Sequence, residues 1–519
     1  MASASASASD PASASGSDFL QLRIADAPPG GRSDWLAGEL RRAIADGRLP
    51  VGSRLPATRV LAADLRVSRG LVTEAYQRLR EDGQVAGRGR GGTVVVAAPV
   101  TAGPGPGGGR APVAPPAPPA TPPPAPPVPL AVPFTTPPGS DLYDTLRAAP
   151  ARIDLSPGLP DLASFPRAAW LRAERAVLGA LPAASLGYGD PRGTPELRQA
   201  VVHWLARNRG IRAAPDDVVI VAGTAQALGL ITQVLHRAGI TGIAVEDPGS
   251  LGARQHLRHW GADTPPVPVD ADGIRVDALR ASGARAVLLT PAHQFPTGVV
   301  LGGSRRRALL GWAAATGGLI IEDDYDAEHR YDRPPVPALR SLLADRVWYA
   351  GSVSKLLAPA LRVGWLLAPP RYRDALVDAK RFADLGNAVL PQLVLAHLME
   401  SGELERLVRQ VRRRHRVRRD AVTAAVRRHL PQATVHGAAA GLHLMISFPP
   451  TAPPDTALAA AALARGVKTH PLTWHTQRPY GRPGLVLGYA ARTPGELADG
   501  VALLGEALRE AGTGAGPTA

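Results

Sequence analysis

The chain has no cysteine, and of its 59 lysines and arginines only three are lysine: Lys355, Lys380 and Lys468. The first absence excludes disulfides, thiolate metal ligands and cysteine nucleophiles, and it permits a reducing compartment. The second singles out a residue. A sequence that writes nearly every cation as arginine keeps a lysine most readily where a guanidinium cannot replace it. Attack on an aldehyde is one such place, because a desolvated amine can lose its proton and a guanidinium does not. Lys355, in the string YAGSVSKLLAPALRVGW, is therefore the first candidate for covalent chemistry. Lys380 and Lys468 read as lysines that an arginine-biased composition leaves by chance. Also missing are any run of about 18 or more apolar residues and, in MASASASASDPASASGSD, the basic flank and apolar core of a signal peptide. These absences lead us to expect a cytoplasmic protein without a membrane partner.

What is present divides unevenly along 519 residues, enough for two or three domains. The formal charge of +15 and a pI near 10.8 favour contact with polyanions such as nucleic acid. Residues 1–17 alternate alanine and serine and read as a disordered tail, as do residues 512–519. Between 98 and 140 lie 17 prolines and a single charge, Arg110. Such a composition blocks helix and sheet and favours extended polyproline segments, so residues 98–150 read as a linker.

Residues 18–97 carry 13 arginines against 9 acids and follow a specific pattern. Asp34 is placed to cap a helix through WLAGELRRAIADG, with Trp35, Leu36, Leu40 and Ile44 at helical spacing. Thr58 is placed to cap a second short helix, TRVLAADL, and Val67-Ser68 to start a third, SRGLVTEAYQRLREDG. Val60, Leu65, Tyr76 and Leu79 fall at core positions. The glycine-rich hairpin QVAGRGRGGTVVV follows, and the whole describes a winged helix-turn-helix. The third helix opens on Ser68, Arg69 and Gly70, donor-rich in the way a recognition helix meets the major groove, and Arg88 and Arg90 sit at the wing tip.

From GRLPVGSRLPATRVLAADLRVSRGLVTEAYQRLREDGQVAGRGRGGT this segment closely resembles the GntR-type winged helix domain. The resemblance implies DNA contacts at Arg59, at Ser68, Arg69, Gly70 and Thr73, and on the wing around Arg88, Arg90 and Gly91, with Arg54 a weaker candidate.

From 151 to 511 short apolar runs alternate with helical segments: DVVIVAG, GIAVEDP, AVLLTP, GLIIEDD, RVWYAGS and VGWLLAP. That alternation predicts a mostly parallel sheet wrapped on both faces, an α/β fold whose ligands bind at the strands' carboxyl ends. Motifs fall at those ends. VVIVAGTAQALGL runs into a helix whose opening amides, at Thr224, Ala225 and Gln226, can hold a phosphate. In GLIIEDDYDAE, Asp323 can take a pyridinium proton, although the acids also fit a metal site or a solvated strand end. In GSVSK, Lys355 is preceded by Ser352 and followed by Arg362, both suited to a phosphate. Amine, acid and phosphate cradle are the set that pyridoxal phosphate requires, with no metal.

The order and spacing of these motifs, with SLGYGDPRGTPELRQAV, PAHQFPTGVV and GLVLGYA, resemble the fold-type I aminotransferases over residues 151–511. The resemblance implies the pyridoxal phosphate-dependent transferase fold with a smaller C-terminal α+β subdomain. It makes Lys355 the residue that takes the cofactor covalently, with Asp323 on the pyridine nitrogen, Tyr325 on the phenolic oxygen, and Ser352 and Arg362 on the phosphate. Tyr188 of YGDPRG would reach the phosphate across a dimer interface. His293 or Gln294 stands near where related enzymes place an asparagine.

A GntR-type domain joined by a long linker to an aminotransferase-like domain is the architecture of the MocR/GabR regulators, which the chain resembles from end to end. The resemblance implies a head-to-tail homodimer that binds pyridoxal phosphate and a DNA operator and answers to an amine or amino-acid effector or to the cofactor itself. The alternative is an active aminotransferase with a DNA-binding fusion. Two departures weigh against efficient transamination: Ser250 follows EDPG where many relatives have a ring-stacking aromatic, and Val486 stands where aminotransferases place a carboxylate-binding arginine. Lys468, Arg478, Arg482 and Arg492 are the nearby cations, while His470, Trp474 and His475 are candidates to shape an effector pocket. The basic run 405–430 reads as one long helix with Leu407, Val411, Val417, Val422 and Val426 on its buried side.

Overall fold

The structure is a computed structural model that describes residues 16–17, 19–28, 31–87, 92–96, 134, 137–331 and 336–513. Residues 1–15 and 514–519 of the expected tails, most of the linker, and the wing residues Arg88, Arg90 and Gly91 lie outside the described residues. Gly16–Ser17 pair antiparallel with Leu22–Arg23 and the last helix runs through Thr513, so both tails are shorter than expected. Two compact units emerge, Met1–Pro123 and Pro124–Ala519.

In the first unit, helices α1 (Arg32–Ala45), α2 (Thr58–Asp64) and α3 (Arg69–Glu81) are followed by strands β1 (Val85–Gly87) and β2 (Thr93–Val95). The strands pair antiparallel, Val85 opposite Val95. Leu36, Leu40 and Ile44 of α1, Leu61 and Leu65 around α2, and Val72, Tyr76 and Leu79 of α3 form one core, as their helical spacing predicts. The buried Tyr76 hydroxyl donates to the Pro56 carbonyl at 2.9 Å and ties α3 to the turn before α2. Three local expectations need correction. Gly31, not Asp34, occupies the N-cap of α1, and the Asp34 carboxylate pairs with Arg78 instead. Ala57 precedes α2, which leaves the Thr58 hydroxyl to accept from Arg69 Nε at 3.4 Å. Val60 is 47% exposed, because one face of so short a helix suffices to cover the core.

The second unit opens earlier than its expected start at 151. Helix α4 (Leu142–Ala148) buries Leu142 and Leu146 in the C-terminal core, and Phe134 stacks on Trp474 with ring centroids 5.2 Å apart. Proline density ends before these residues, so a helix is open to them.

The chain then forms β3 (Ile153–Asp154), α5 (Arg167–Ala180), α6 (Pro195–Arg209), β4 (Val218–Val221), α7 (Thr224–Arg237), β5 (Ala244–Asp247) and α8 (Leu251–His259). It continues through β6 (Pro266–Asp270), β7 (Gly273–Ile274), α9 (Val276–Ala281), β8 (Ala286–Leu289), α10 (Gly303–Thr316), β9 (Leu319–Asp324), β10 (Val347–Ser352) and β11 (Gly364–Leu367). All of these strands except β3 make one eight-stranded sheet in the order β4-β11-β10-β9-β8-β5-β6-β7. The pairings among β5, β6, β8, β9 and β10 are parallel, whereas β11 runs antiparallel to both its neighbours and β7 antiparallel to β6. Apolar clusters line both faces, which is why the strands read as unbroken apolar runs.

After α11 (Arg373–Asp384), α12 (Val389–Glu400) and the 27-residue α13 (Glu403–His429) come strands β12 (Thr434–His436) and β13 (His443–Ser447) and helix α14 (Asp455–Ala464). The chain ends in β14 (Val467–Lys468), β15 (His470–Pro471), β16 (Gly484–Gly488) and α15 (Pro494–Thr513). A second, four-stranded sheet, β12-β13-β16-β15, forms the smaller subdomain. On α13 Val411, Val422 and Val426 are buried as expected, but Val417 is 57% exposed. Among the described residues no helix is long and apolar enough to cross a membrane.

Candidate functional site

The carboxyl ends of β9 and β10 face the start of α7. Because successive strand residues point to opposite faces, the acids that end β9 part company. Glu322 accepts the backbone N–H groups of Leu339 and Arg340 at 3.0 and 3.1 Å. Asp324 accepts from Arg209 Nε and the Tyr349 hydroxyl, both at 2.5 Å. Asp323, between them, points the other way, where Thr224 Oγ1 donates to it at 3.4 Å. Burial, then the neighbouring Asp324 charge, pushes the Asp323 carboxyl up to about 7, against the pull of Thr224 and Lys355.

Lys355 sits three residues beyond the end of β10, and its amine donates to the Gly158 carbonyl at 2.6 Å. Desolvation lowers its pKa, while Asp323 and Asp326 pull it back up. Gly158 was not foreseen. Its φ of +84° strains any residue with a Cβ, and such a Cβ would also crowd Lys355 Nζ at 3.3 Å.

The opposite end of the cleft is cationic. Gly223, with φ +85°, turns the chain into α7, and a Cβ there would lie 3.4 Å from Arg362 Nη1 and 3.8 Å from Ser354 Oγ. Arg362 itself adopts a left-handed backbone, φ 52°, held by Asn387 Nδ2 donating to its carbonyl at 3.0 Å. Such a conformation costs about 1 kcal/mol or more for a non-glycine residue, and here it precedes the antiparallel β11, which starts at the cleft. The guanidinium, Ser354 and the opening turn of α7 thus converge on one place. Ser352 Oγ accepts from the Ser354 amide at 3.4 Å. The Gln226 side chain is committed locally, accepting from the Ala222 amide at 2.8 Å and donating to Asp384 at 2.6 Å. It therefore contributes its backbone, with Thr224 and Ala225, to the start of the helix. Lys380, expected to be incidental, is fully buried and donates to Gln226, Asp384 and Asn387 at 3.0, 2.7 and 2.6 Å, tying α11 to α7.

Beside Lys355, the Tyr325 hydroxyl donates to the His293 carbonyl at 3.0 Å and lies 3.2 Å from His293 Nδ1, which is 2.9 Å from Asp326 Oδ2. Asp326 carried no signal in the sequence apart from the neighbouring acids. Gln294 is spent on its own turn, donating to the Pro248 and Phe295 carbonyls and accepting from Thr297. His293, Asp326 and His443 offer ligand atoms within 4.8 Å of one another, a cluster that no sequence spacing suggested.

The departures also find their place. Ser250 caps α8 by accepting from the Ala253 amide at 3.2 Å. Val486 is buried against Met445, Leu472 and Phe295. Lys468 and Arg492 gather on Asp154, the first at 3.7 Å from its carboxylate and the second donating to its carbonyl at 3.2 Å. Arg478 and Arg482 border a different, open hollow, so the four cations do not converge. His470, Trp474 and His475 are buried side by side, and burial holds His470 down to about 4. Tyr188 is 96% exposed. In the first unit Arg54, Arg59, Ser68, Arg69, Gly70 and Thr73 are all exposed, and Ser68 Oγ caps α3 by accepting from the Leu71 amide at 3.3 Å.

Residues 33–95 match the family described as bacterial regulatory proteins, gntR family, and residues 152–482 match aminotransferase class I and II. Over 465 residues the chain is 31% identical to the probable rhizopine catabolism regulatory protein MocR of Rhizobium meliloti, covering 89% of this chain and 91% of that one. It belongs to the MocR-type regulators. The HTH-type pyridoxine biosynthesis transcriptional regulator PdxR of Corynebacterium glutamicum is 29% identical over 458 residues, 88% of this chain and 91% of that protein. Among solved structures, the multiple substrate aminotransferase of Thermococcus profundus superposes with a TM-score of 0.66 at 27% identity, covering 72% of this chain and 96% of that one. This MocR-type regulator is thus a DNA-binding transcription factor whose second unit has the fold-type I aminotransferase fold and binds pyridoxal phosphate.

Proposed function

We propose that this regulator senses an amine or amino acid, or pyridoxal phosphate itself, at Lys355, and that occupancy of the site changes its grip on an operator. The observation that carries the reading is the pairing of a desolvated lysine amine with a carboxyl pushed up to about 7 on the same cleft, in a chain that also carries a gntR-type domain. The residues present fit the cofactor. Lys355 would hold it covalently, Asp323 would face the ring nitrogen, and Tyr325 would face the phenolic oxygen, with His293 beside it. Arg362, Ser352 and the opening amides at Thr224, Ala225 and Gln226 would hold the phosphate. Ser354 joins this set by its position. When bound, the cofactor supplies an aldehyde for amines and an electron-withdrawing ring.

On the DNA side we assign Arg59, Ser68, Arg69, Gly70 and Thr73 to the interface, together with Arg88, Arg90 and Gly91 on the wing. Residues 18–97 form the DNA-binding domain, and the proline-rich stretch beyond it is the linker. A cytoplasmic homodimer completes the reading. It is supported by the exposure of Tyr188 and of Phe382, which is 82% exposed, with Leu171, Leu178, Leu186 and Leu385 also bare. Ligand-driven switching requires different contacts in two states, and Lys355 provides one, since an incoming amine would displace it.

The test is operator binding by the full-length protein, followed by footprinting with and without pyridoxal phosphate and then with a panel of amino acids. A footprint that changes in the wild type and not in Lys355→Ala is the expected result. An identical footprint under every condition would reject the sensor. Sustained turnover of amino donors with 2-oxo acids would favour the enzyme instead. Similarity to the pyridoxine biosynthesis regulator makes the response to cofactor alone the first to measure.

A further inference from the structure

Helix α8 carries Ser250 at its cap and Arg254 one turn later, on the same side of the helix. Arg254 is only 5% exposed. Its Nη2 donates to the Trp474 carbonyl at 3.1 Å, and its Nη1, fully buried, has no hydrogen-bond partner. Other buried guanidinium groups here find partners: Arg209 pairs with Asp324 and Arg198 with Asp216 at 2.8 Å, while Arg306 and Arg340 end on backbone carbonyls. Among the described residues no carboxylate lies within ion-pair distance of Arg254. A buried charge left in this state is costly unless something polar reaches it.

What it faces is a small cavity bordered by Glu246, Ser250, Thr290 and Asp323. Thr290 and Ser250 are already engaged, Thr290 with Glu246 through its amide and hydroxyl at 3.0 Å each, and Ser250 with the α8 amide. Of the acids nearby, Asp247 acts on Arg254 by charge and accepts from the Gln477 amide, and Glu246 already accepts two 3.0 Å bonds from Thr290. Asp323 accepts a single bond of 3.4 Å and is the carboxyl on this cavity with most capacity left. A buried water bridging a guanidinium and a carboxyl is an ordinary structural element.

We propose that Arg254 is a positioning residue for the cofactor: acting through a water in this cavity, it favours the anionic form of Asp323 once the cofactor is bound, so that the carboxylate accepts a hydrogen bond from the protonated ring nitrogen. The inference rests on the assignment of Asp323 to the ring nitrogen. Other charges around Asp323 do not fill the role. Asp324, Asp326 and Glu246 are acids that oppose its ionisation, Thr224 is neutral, and Lys355 is the group the cofactor engages.

The experiment loads the full-length protein with cofactor labelled with nitrogen-15 in the ring, and reads the ring-nitrogen chemical shift and the absorbance spectrum between pH 6 and 9. Wild type and Arg254→Lys are expected to show the protonated-ring signal. Arg254→Gln is expected to move it toward the neutral-pyridine value, with the midpoint of the transition lowered by about one pH unit. An Arg254→Gln signal identical to wild type, while Asp323→Asn shifts it, would overturn the role of Arg254 and leave Asp323 in place. No shift in Asp323→Asn would overturn the assignment of Asp323 itself. Should Arg254→Gln fail to fold, Arg254→Lys decides by a second criterion, since a mobile ammonium with lost fork geometry must still hold the ring protonated; a neutral ring in that variant rejects the proposal.

Discussion

At the scale of single residues, Asp323 shows how burial changes a side chain's chemistry. Its carboxyl is pushed from 3.8 up to about 7, so between those values the folded protein without cofactor holds a proton that the unfolded chain has released. Stability from this group is complete below about pH 4 and falls as pH rises through 7. Glu246 and Glu322, also pushed up to about 7 by burial, add in the same direction. Asp323→Asn should therefore stabilise the cofactor-free protein by about 1 kcal/mol at pH 8, a value discounted for the partial exposure of the side chain. The gain should be smaller at pH 5. Urea denaturation at the two pH values measures it, and equal gains at both would show that Asp323 is not perturbed. The same substitution should weaken retention of pyridoxal phosphate, because a residue tuned for an incoming ring is a poor residue for an empty site.

At the scale of elements, α3 separates stability from recognition within two adjacent positions. Ser68 caps the helix through Leu71, whereas Arg69 is exposed and spends only a 3.4 Å bond on Thr58. Ser68→Ala should lower the stability of the first unit by about 1 kcal/mol. Arg69→Ala should leave melting unchanged and weaken specific operator binding by roughly 10-fold to 100-fold. Calorimetry and fluorescence anisotropy on the same two variants distinguish these outcomes, and a reversed pattern would remove Arg69 from the interface. Helix α11 makes a related point about legibility. Nothing in VDAKRFADLGN marks Lys380 as special, since the acid, amide and glutamine that surround it come from its own next turn, from beyond α11 and from α7. Likewise the periodicity of α2 and α13 predicts their helices correctly but misassigns Val60 and Val417, because the spacing of apolar residues gives a face and not the width of the neighbour that covers it.

At the scale of the whole molecule, charge and bare apolar surface point to two partners. A net charge of +15 predicts an operator affinity that falls steeply with salt, as counterions are released from the phosphates. The exposed Phe382, in the last turn of α11, predicts a second copy of the chain. Phe382→Asp should convert a dimer to a monomer in light scattering, and the monomer should bind cofactor more weakly if Tyr188 serves the neighbouring site. A wild-type monomer at micromolar concentration would set that reading aside.

Much of the architecture follows from sequence alone, for reasons that are local. Alternating apolar runs of strand length dictate a buried parallel sheet, glycine and arginine spacing dictates a winged helix, and Lys355, Asp323 and Arg362 stand at strand ends because chemistry on such a fold gathers there. What only the tertiary structure decided is which neighbour each group meets. It turned Asp323 into the cleft while Glu322 and Asp324 were tied behind it, and it added Gly158 and Ser354 to the site. It brought Asp326 to His293, and it left one N–H of Arg254 unpaired beside Asp323's cavity. These contacts join residues up to about two hundred positions apart, and their energies depend on burial and distance, quantities that residue order along the chain does not contain.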